Sequence, residues 1–281
     1  MTAVDAGAAA ATAPPSGVSV FAATRTLARR DLLRARATPA TTVQSVVFPA
    51  VLLMVLLAVF GSAVEAVDGQ SYVQRITPAL VISGAAFGSL GAVGGLFEDR
   101  RSGFFDRLRL APVGGGDGTR GFTALLLARS ASEHVRVLVT AICLVALGFA
   151  FGFRFEAGVG RALAFFVVAT VCGACFGWIG FALATRGSSM EAVVPPVSAL
   201  FLILLFLSHG MVPVEAFPGW VQPVVEASPS SLMMLMLQRL SGGGEILWPL
   251  AGALAWTLAI TAVFGWLSLR GLTRSAGTSA S

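Results

Sequence analysis

Six stretches of this chain stay apolar for the ~20 residues that a helix rising ~1.5 Å per residue needs to cross a ~30 Å hydrocarbon core. They are Val43–Ala63, Ile76–Leu96, Ser132–Phe151, Ala162–Thr185, Val193–Val212 and Leu247–Leu269. Runs of that length predict an all-α membrane protein with six transmembrane helices. The composition agrees, because 56% of the residues are hydrophobic and mean hydropathy is +0.84, whereas soluble domains sit nearer ~45–50% apolar. The basic balance, with a pI near 10.4, does not point to nucleic acid. The basic residues lie between the apolar runs, as membrane topology requires.

All 19 basic residues are arginine, and their distribution predicts orientation. With the N-terminus inside, fourteen arginines fall in inner segments. Four (Arg75, Arg154, Arg161 and Arg239) fall in outer ones, and Arg136 lies within a run. Both termini are therefore expected in the cytosol of a multi-pass plasma-membrane protein. Residues 1–19, small and proline-interrupted, read as a disordered tail, and residues 270–281 as a cytosolic tail. Between tail and first span, residues 20–37 read as an amphipathic interfacial helix. Phe21, Ala28, Leu32 and Ala35 fall on one side, and Arg25, Arg29 and Arg36 opposite, placed to meet anionic lipid.

Within the runs, Gly84/Gly88, Gly91/Gly95 and Gly173/Gly177 have the four-residue spacing that lets helix backbones approach closely. The stretch FEDRRSGFFDRLRLAPV, Phe97–Val113, is the most charged segment of an otherwise oily chain. Read as one helix over residues 97–112, it gathers Phe97, Phe104, Phe105, Leu108 and Ala111 on one side. Glu98, Arg101, Ser102, Asp106 and Arg109 cover the rest. Pro112 ends it, and Gly114–Gly118 gives a flexible return to the membrane. Near the start of the third run stand Arg129, Glu133 and Arg136, spaced for an ion-paired face that lines a pathway or packs a dimer. Pro213, Pro218, Pro223 and Pro229 preclude one continuous helix in the outer loop at residues 213–246.

Two blocks carry a resemblance. Glu98, Gly103, Leu108 and Pro112 reproduce the E-x(4)-G-x(4)-L-x(3)-P signature in the first cytosolic loop of ABC-2-type ABC-transporter permeases. Ser208–Ser231, followed by Arg239 and Gly242–Gly244, is similar to that family's stretch between its last two spans. The chain most resembles the daunorubicin-exporter-like transmembrane subunits. The charged stretch begins Phe-Glu-Asp-Arg, where family members often begin Arg-Glu-Arg.

The resemblance implies that residues 97–112 form a coupling helix resting in a separate ATPase subunit. Glu98, Arg101, Gly103, Phe104, Asp106, Leu108 and Pro112 would make that contact. It implies re-entrant helices before the last span, with Gly210, Pro213, Pro218, Trp220 and Arg239 in an outer gate. It implies two copies of an ATP-binding subunit, a second permease that is identical or homologous, and export of a lipid or drug-like cargo. ATP and Mg would be used by the partner, with no cofactor bound by this chain. Independently, a P-loop needs a lysine, and the chain has none. A lipid-modifying enzyme would need converging acids, histidines or metal ligands; the only histidines are His134 and His209, and no H-E-x-x-H motif occurs. An ion-coupled carrier would show mid-membrane acids, whereas Glu133 and Glu191 fall near span ends. Cys143, Cys172 and Cys175 read as packing residues within apolar runs.

Overall fold

The computed structural model describes residues 19–37, 39–68, 71–110, 119–210, 214 and 217–277, with side chains excluded at 35–44, 62–68, 109–110, 119 and 273–277. Most of the expected N-terminal tail, Pro112, the Gly114–Gly118 return and Pro213 lie outside the described residues. Among the described residues the long regular elements are all α-helices. In chain order they are α1 (Val20–Ala37), α2 (Pro39–Asp68), α3 (Tyr72–Arg101), α4 (Phe104–Leu110) and α5 (Thr119–Ala150). There follow α6 (Val159–Ala184), α7 (Met190–Phe206), α8 (Gln222–Ala227), α9 (Pro229–Gly242) and α10 (Leu247–Gly277).

Among the described residues, four helices are long and apolar enough to cross a membrane, through Tyr72–Arg101, Arg120–Ala150, Val159–Ala184 and Leu247–Leu272. The first and fifth expected spans correspond to shorter apolar stretches, Ser45–Gly61 within α2 and Met190–Phe206 in α7. α7 stops short of the expected Val212 for a local reason. The Ser208 hydroxyl turns back to the Leu205 carbonyl at 2.5 Å, and the His209 N–H goes to the Ser231 hydroxyl at 3.2 Å. The start of α7 is capped by Ser189, which accepts from the Ala192 N–H at 3.3 Å. At the other extreme, α5 begins at Thr119, well before the expected Ser132, and α10 runs on to Gly277.

α3 is the axis of the bundle and the most enclosed of the long helices, while α10 turns most of its surface outward. Along Ile76–Ala86 every α3 residue is buried, which small and β-branched side chains permit. Close backbone approach occurs where the glycine spacing predicts it. A Cβ on Gly173 would stand 2.7 Å from the Ala85 Cβ and 2.8 Å from Val137, and one on Gly84 would stand 3.0 Å from Pro49.

The two ends of the bundle sort cleanly. One carries α1, α4 and the α6–α7 turn. The other carries the α5–α6 loop, α8 and α9. At the α9 end, Gln74 Nε2 donates to the Arg154 carbonyl at 2.8 Å and Gln238 Nε2 to the Arg75 carbonyl at 3.0 Å. The Glu156 N–H reaches the Ser241 carbonyl at 2.8 Å. α9 is not laid on the surface. Ser228 caps it by accepting from the Ser231 N–H at 3.2 Å, and it drives Met233 and Leu237, both 0% exposed, into the core among α3, α6 and α10.

The charged stretch differs from its expected form. It is not one helix over residues 97–112 but the last turn of α3, a break at Ser102–Gly103, and the seven-residue α4. Gly103 takes φ +66°, the left-handed region in which a side chain is strained, so the chain can turn sharply there. The apolar ridge also divides. Phe97 and Leu108 are buried in this chain's own core, and the Phe105 ring meets Phe122 of α5 edge-on at 5.9 Å.

Candidate functional site: a charged elbow joined to a glycine-walled groove

At the α3–α4 elbow the exposed residues are Glu98, Arg100, Arg101, Ser102, Asp106 and Arg107, while Phe104 and Phe105 are half-buried beneath them. Arg100 Nη1 donates to the Gly187 carbonyl at 3.1 Å, which ties the α6–α7 turn to the elbow. The elbow thus presents charge outward and is anchored by its apolar side. Of the expected contact set, Glu98, Arg101, Gly103, Phe104, Asp106 and Leu108 come together here.

Asp99, which sequence reasoning did not single out, is the hub. Its carboxylate is 1% exposed and receives Arg30 and Arg34 from α1 at 3.0 Å each and Arg129 from α5 at 2.5 Å. Arg30 also pairs with Asp31 at 3.0 Å and lies over the Phe104 ring at 4.2 Å. Burial draws the Arg30 guanidinium down, but Asp31 and Asp99 push harder the other way, so it stays firmly charged. One carboxylate therefore fastens α1 and α5 to the end of α3, and Arg30 extends the joint to α4.

Further along, Arg129, Glu133 and Arg136 of α5 turn toward α3 as one face. Arg129 Nη2 donates to the Gly95 carbonyl at 3.0 Å and Arg136 Nη2 to the Ala85 carbonyl at 3.3 Å. Arg136 Nε pairs with Glu133 Oε2 at 3.0 Å. Two glycines make this possible. A Cβ on Gly95 would stand 2.5 Å from Arg129 Nη1, and one on Gly88 would stand 1.6 Å from Arg136 Nη1. Gly88 and Gly95 are thus spaces for guanidinium groups, not helix-to-helix contacts as their spacing suggests. The sequence did hold a signal, since both the glycines and the arginines are seven apart and α3 and α5 run antiparallel.

The same glycines wall a groove of about 450 Å³ between α2, α3 and α7. Gly88, Gly91, Gly94 and Gly95 form one side, with Phe48 from α2 and Met190 and Val194 from α7 opposite. Toward the α9 end it is closed by rings: Phe48 to Phe87 at 5.2 Å, Phe87 to Phe201 at 6.2 Å and Phe201 to Phe176 at 5.6 Å. Beyond them lies a cavity of about 10 Å³ beside Ser83, Ser230 and Met234, room for about one water.

The remaining expected residues sit at the α9 end. Gly210 packs so tightly that a Cβ would meet Ala79 at 2.3 Å, while Trp220 is 81% exposed. Pro218 opens the turn before α8, its carbonyl accepting from the Val221 N–H at 2.8 Å. The Arg239 side chain lies against Gly244, whose carbonyl accepts from Arg161 at 3.2 Å. Among the described residues no cluster of three His, Cys, Asp or Glu could hold a metal ion.

Comparison with known proteins identifies the family. Residues 22–240 match the ABC-2 type transporter family, and the chain belongs to it. Over 223 residues it is 29% identical to the probable doxorubicin resistance ABC transporter permease protein DrrC of Mycobacterium tuberculosis, covering 79% of this chain and 78% of that one. Over 256 residues it is 27% identical to the daunorubicin resistance ABC transporter permease protein DrrB1 of Streptomyces coeruleorubidus, covering 91% and 88%.

Proposed function

We propose that this ABC-2 family membrane subunit is the permease of an ATP-driven exporter that moves a hydrophobic or amphipathic cargo, lipid or drug-like, outward across the plasma membrane. The drug names carried by its relatives favour polycyclic amphiphiles among such cargoes. In this reading α2 and α7 serve as the first and fifth of six spans, and the α1 end and both termini are cytosolic, which the arginine asymmetry supports. α1 lies in the headgroup plane, where Arg25 and Arg29 meet anionic lipid.

The α3–α4 elbow docks in a cleft of a separate ATP-binding subunit. Glu98, Arg101 and Asp106 meet it, Gly103 sets the bend, Phe104 and Leu108 anchor the elbow, and Pro112 ends it. Two such subunits bind ATP and Mg and pair with this permease and a second copy, identical or homologous. When they close, α3 moves with α1 and α5 because Asp99 binds all three. The groove wall on α3 then shifts against α2 and α7. Gly210, Pro213, Pro218, Trp220 and Arg239 form the exit beyond the aromatic closure.

One observation carries this reading: a single helix, α3, supplies both the first arm of the exposed elbow, with Glu98, Arg100 and Arg101, and the wall of the 450 Å³ groove. Motion imposed at one end must reach the other. The test is gentle solubilisation of the chain from its native membrane, with identification of whatever co-purifies. Co-purification of a P-loop ATPase, with ATP-dependent doxorubicin uptake into inverted vesicles, is expected. A chain that reproducibly emerges alone, or vesicles that accumulate nothing, would sink the proposal.

A further inference from the structure

We propose that Arg136 determines specificity in the groove, offering one N–H to a neutral oxygen acceptor on the cargo through the gap left by Gly88. Arg136 spends Nε and Nη2 on Glu133 and the Ala85 carbonyl, whereas Nη1 is buried without a hydrogen-bond partner. Leaving a charged N–H buried and unmet is costly, and a group in that state calls for a partner. Nη1 occupies the place that a Gly88 side chain would take, and that place is also 3.0 Å from the Ser45 Cβ. Gly88 and Ser45 both line the groove, so the vacant donor lies directly behind that wall, buried where the two meet, and a cargo reaches it by parting them.

The chemistry of the acceptor follows from the surroundings. Glu133 already neutralises the guanidinium, so the site has no net positive charge left for a phosphate. Phe48, Phe87 and Leu90 supply an apolar bed around it. The fitting ligand is an apolar body carrying a neutral acceptor such as a carbonyl or hydroxyl oxygen. The inference rests on the export reading above and adds to it a residue, an atom and the group on the cargo that this atom reads.

The test measures binding of two fluorescent probes to the complex purified with its ATPase. Doxorubicin carries ring carbonyls and hydroxyls; trimethylammonium-diphenylhexatriene is apolar, cationic and has no acceptor. One variant is Gly88→Ala, whose methyl displaces the end of the Arg136 side chain. The other is Arg136→Met made together with Glu133→Gln, so that no buried carboxylate is left unpaired. Loss of a charge-assisted hydrogen bond should raise the doxorubicin Kd ~10-fold or more in both variants, with the hydrocarbon probe held within about twofold. Equal weakening of both probes would mean that Arg136 only packs the helices, and unchanged doxorubicin binding would mean that Nη1 is not used; either overturns the proposal. If the double variant does not assemble, Gly88→Ala decides alone. Failure of the wild-type complex to bind either probe refutes the export reading and this inference with it, whereas wild-type binding that ignores both variants refutes only the latter.

Discussion

Asp99→Asn is the most informative single change, because it removes one charge and keeps the shape. Three arginines converge on that carboxylate, but they are not equivalent. The side chains of Arg30 and Arg34 are 29% and 50% exposed and can turn to water, so each pairing is worth under ~1 kcal/mol. Arg129 is 9% exposed, and its nearest other carboxylate oxygen, on Asp31, lies 3.8 Å away. Breaking a buried pair costs ~3–5 kcal/mol, less what the asparagine oxygen recovers by accepting one bond, which leaves about 2–4 kcal/mol. For a chain of this size that corresponds to a midpoint lowered by roughly 5–10 °C. The assay is fluorescence-detected size exclusion of the detergent-solubilised complex after a temperature series. Arg34→Ala should shift the midpoint by no more than ~2 °C. Pairing Asp99→Asn with Arg129→Met should restore much of the loss, since an absent pair costs less than a broken one. If Asp99→Asn leaves the midpoint unchanged, or if Arg34→Ala lowers it as much, the hub does not hold the helices as described.

Three further outcomes follow from local geometry. Gly103→Ala forces a side chain into a left-handed turn, costing ~1–2 kcal/mol; substrate-stimulated ATPase activity should fall while the complex still co-purifies. Gly173→Val places methyls where Ala85 and Val137 already stand, and ~1–3 kcal/mol of overpacking should lower the amount of folded chain recovered, read by the same size-exclusion trace. Ser228→Ala removes the cap of α9 and should cost ~1 kcal/mol, seen as faster hydrogen exchange over the Ser230–Met233 amides and not elsewhere.

Element type was easily legible, because lipid admits few alternatives for a long apolar run; proline is a poorer guide to helix ends, since Pro49 and Pro78 lie inside α2 and α3. Ser208–Gly210 shows what periodicity could not supply: α7 stops where a serine turns back on its own helix and the next N–H finds Ser231, 22 residues on. The elbow was half legible. Its residues were recognisable by spacing, but one glycine at positive φ divides them between two helices and sends Phe97 and Leu108 inward. Asp99 was missed because its neighbours Glu98 and Arg100 face out, and adjacent helical residues with like chemistry cannot be sorted without knowing what packs against them. The spacing of Gly88 and Gly95 suggests close approach of helix backbones, but the group that approaches each is an arginine from a helix more than thirty residues away.

That last arrangement binds two distant positions into one heritable unit. Position 88 gains a side chain only by pushing the Arg136 guanidinium aside, and position 136 gives up its arginine only by leaving Glu133 without that partner, so substitutions at these sites are not independent. Shortening the arginine opens space for a methyl at position 88 but strands the buried Glu133 carboxylate until position 133 changes as well. Variants of this chain selected for a new cargo should therefore change positions 133 and 136 together.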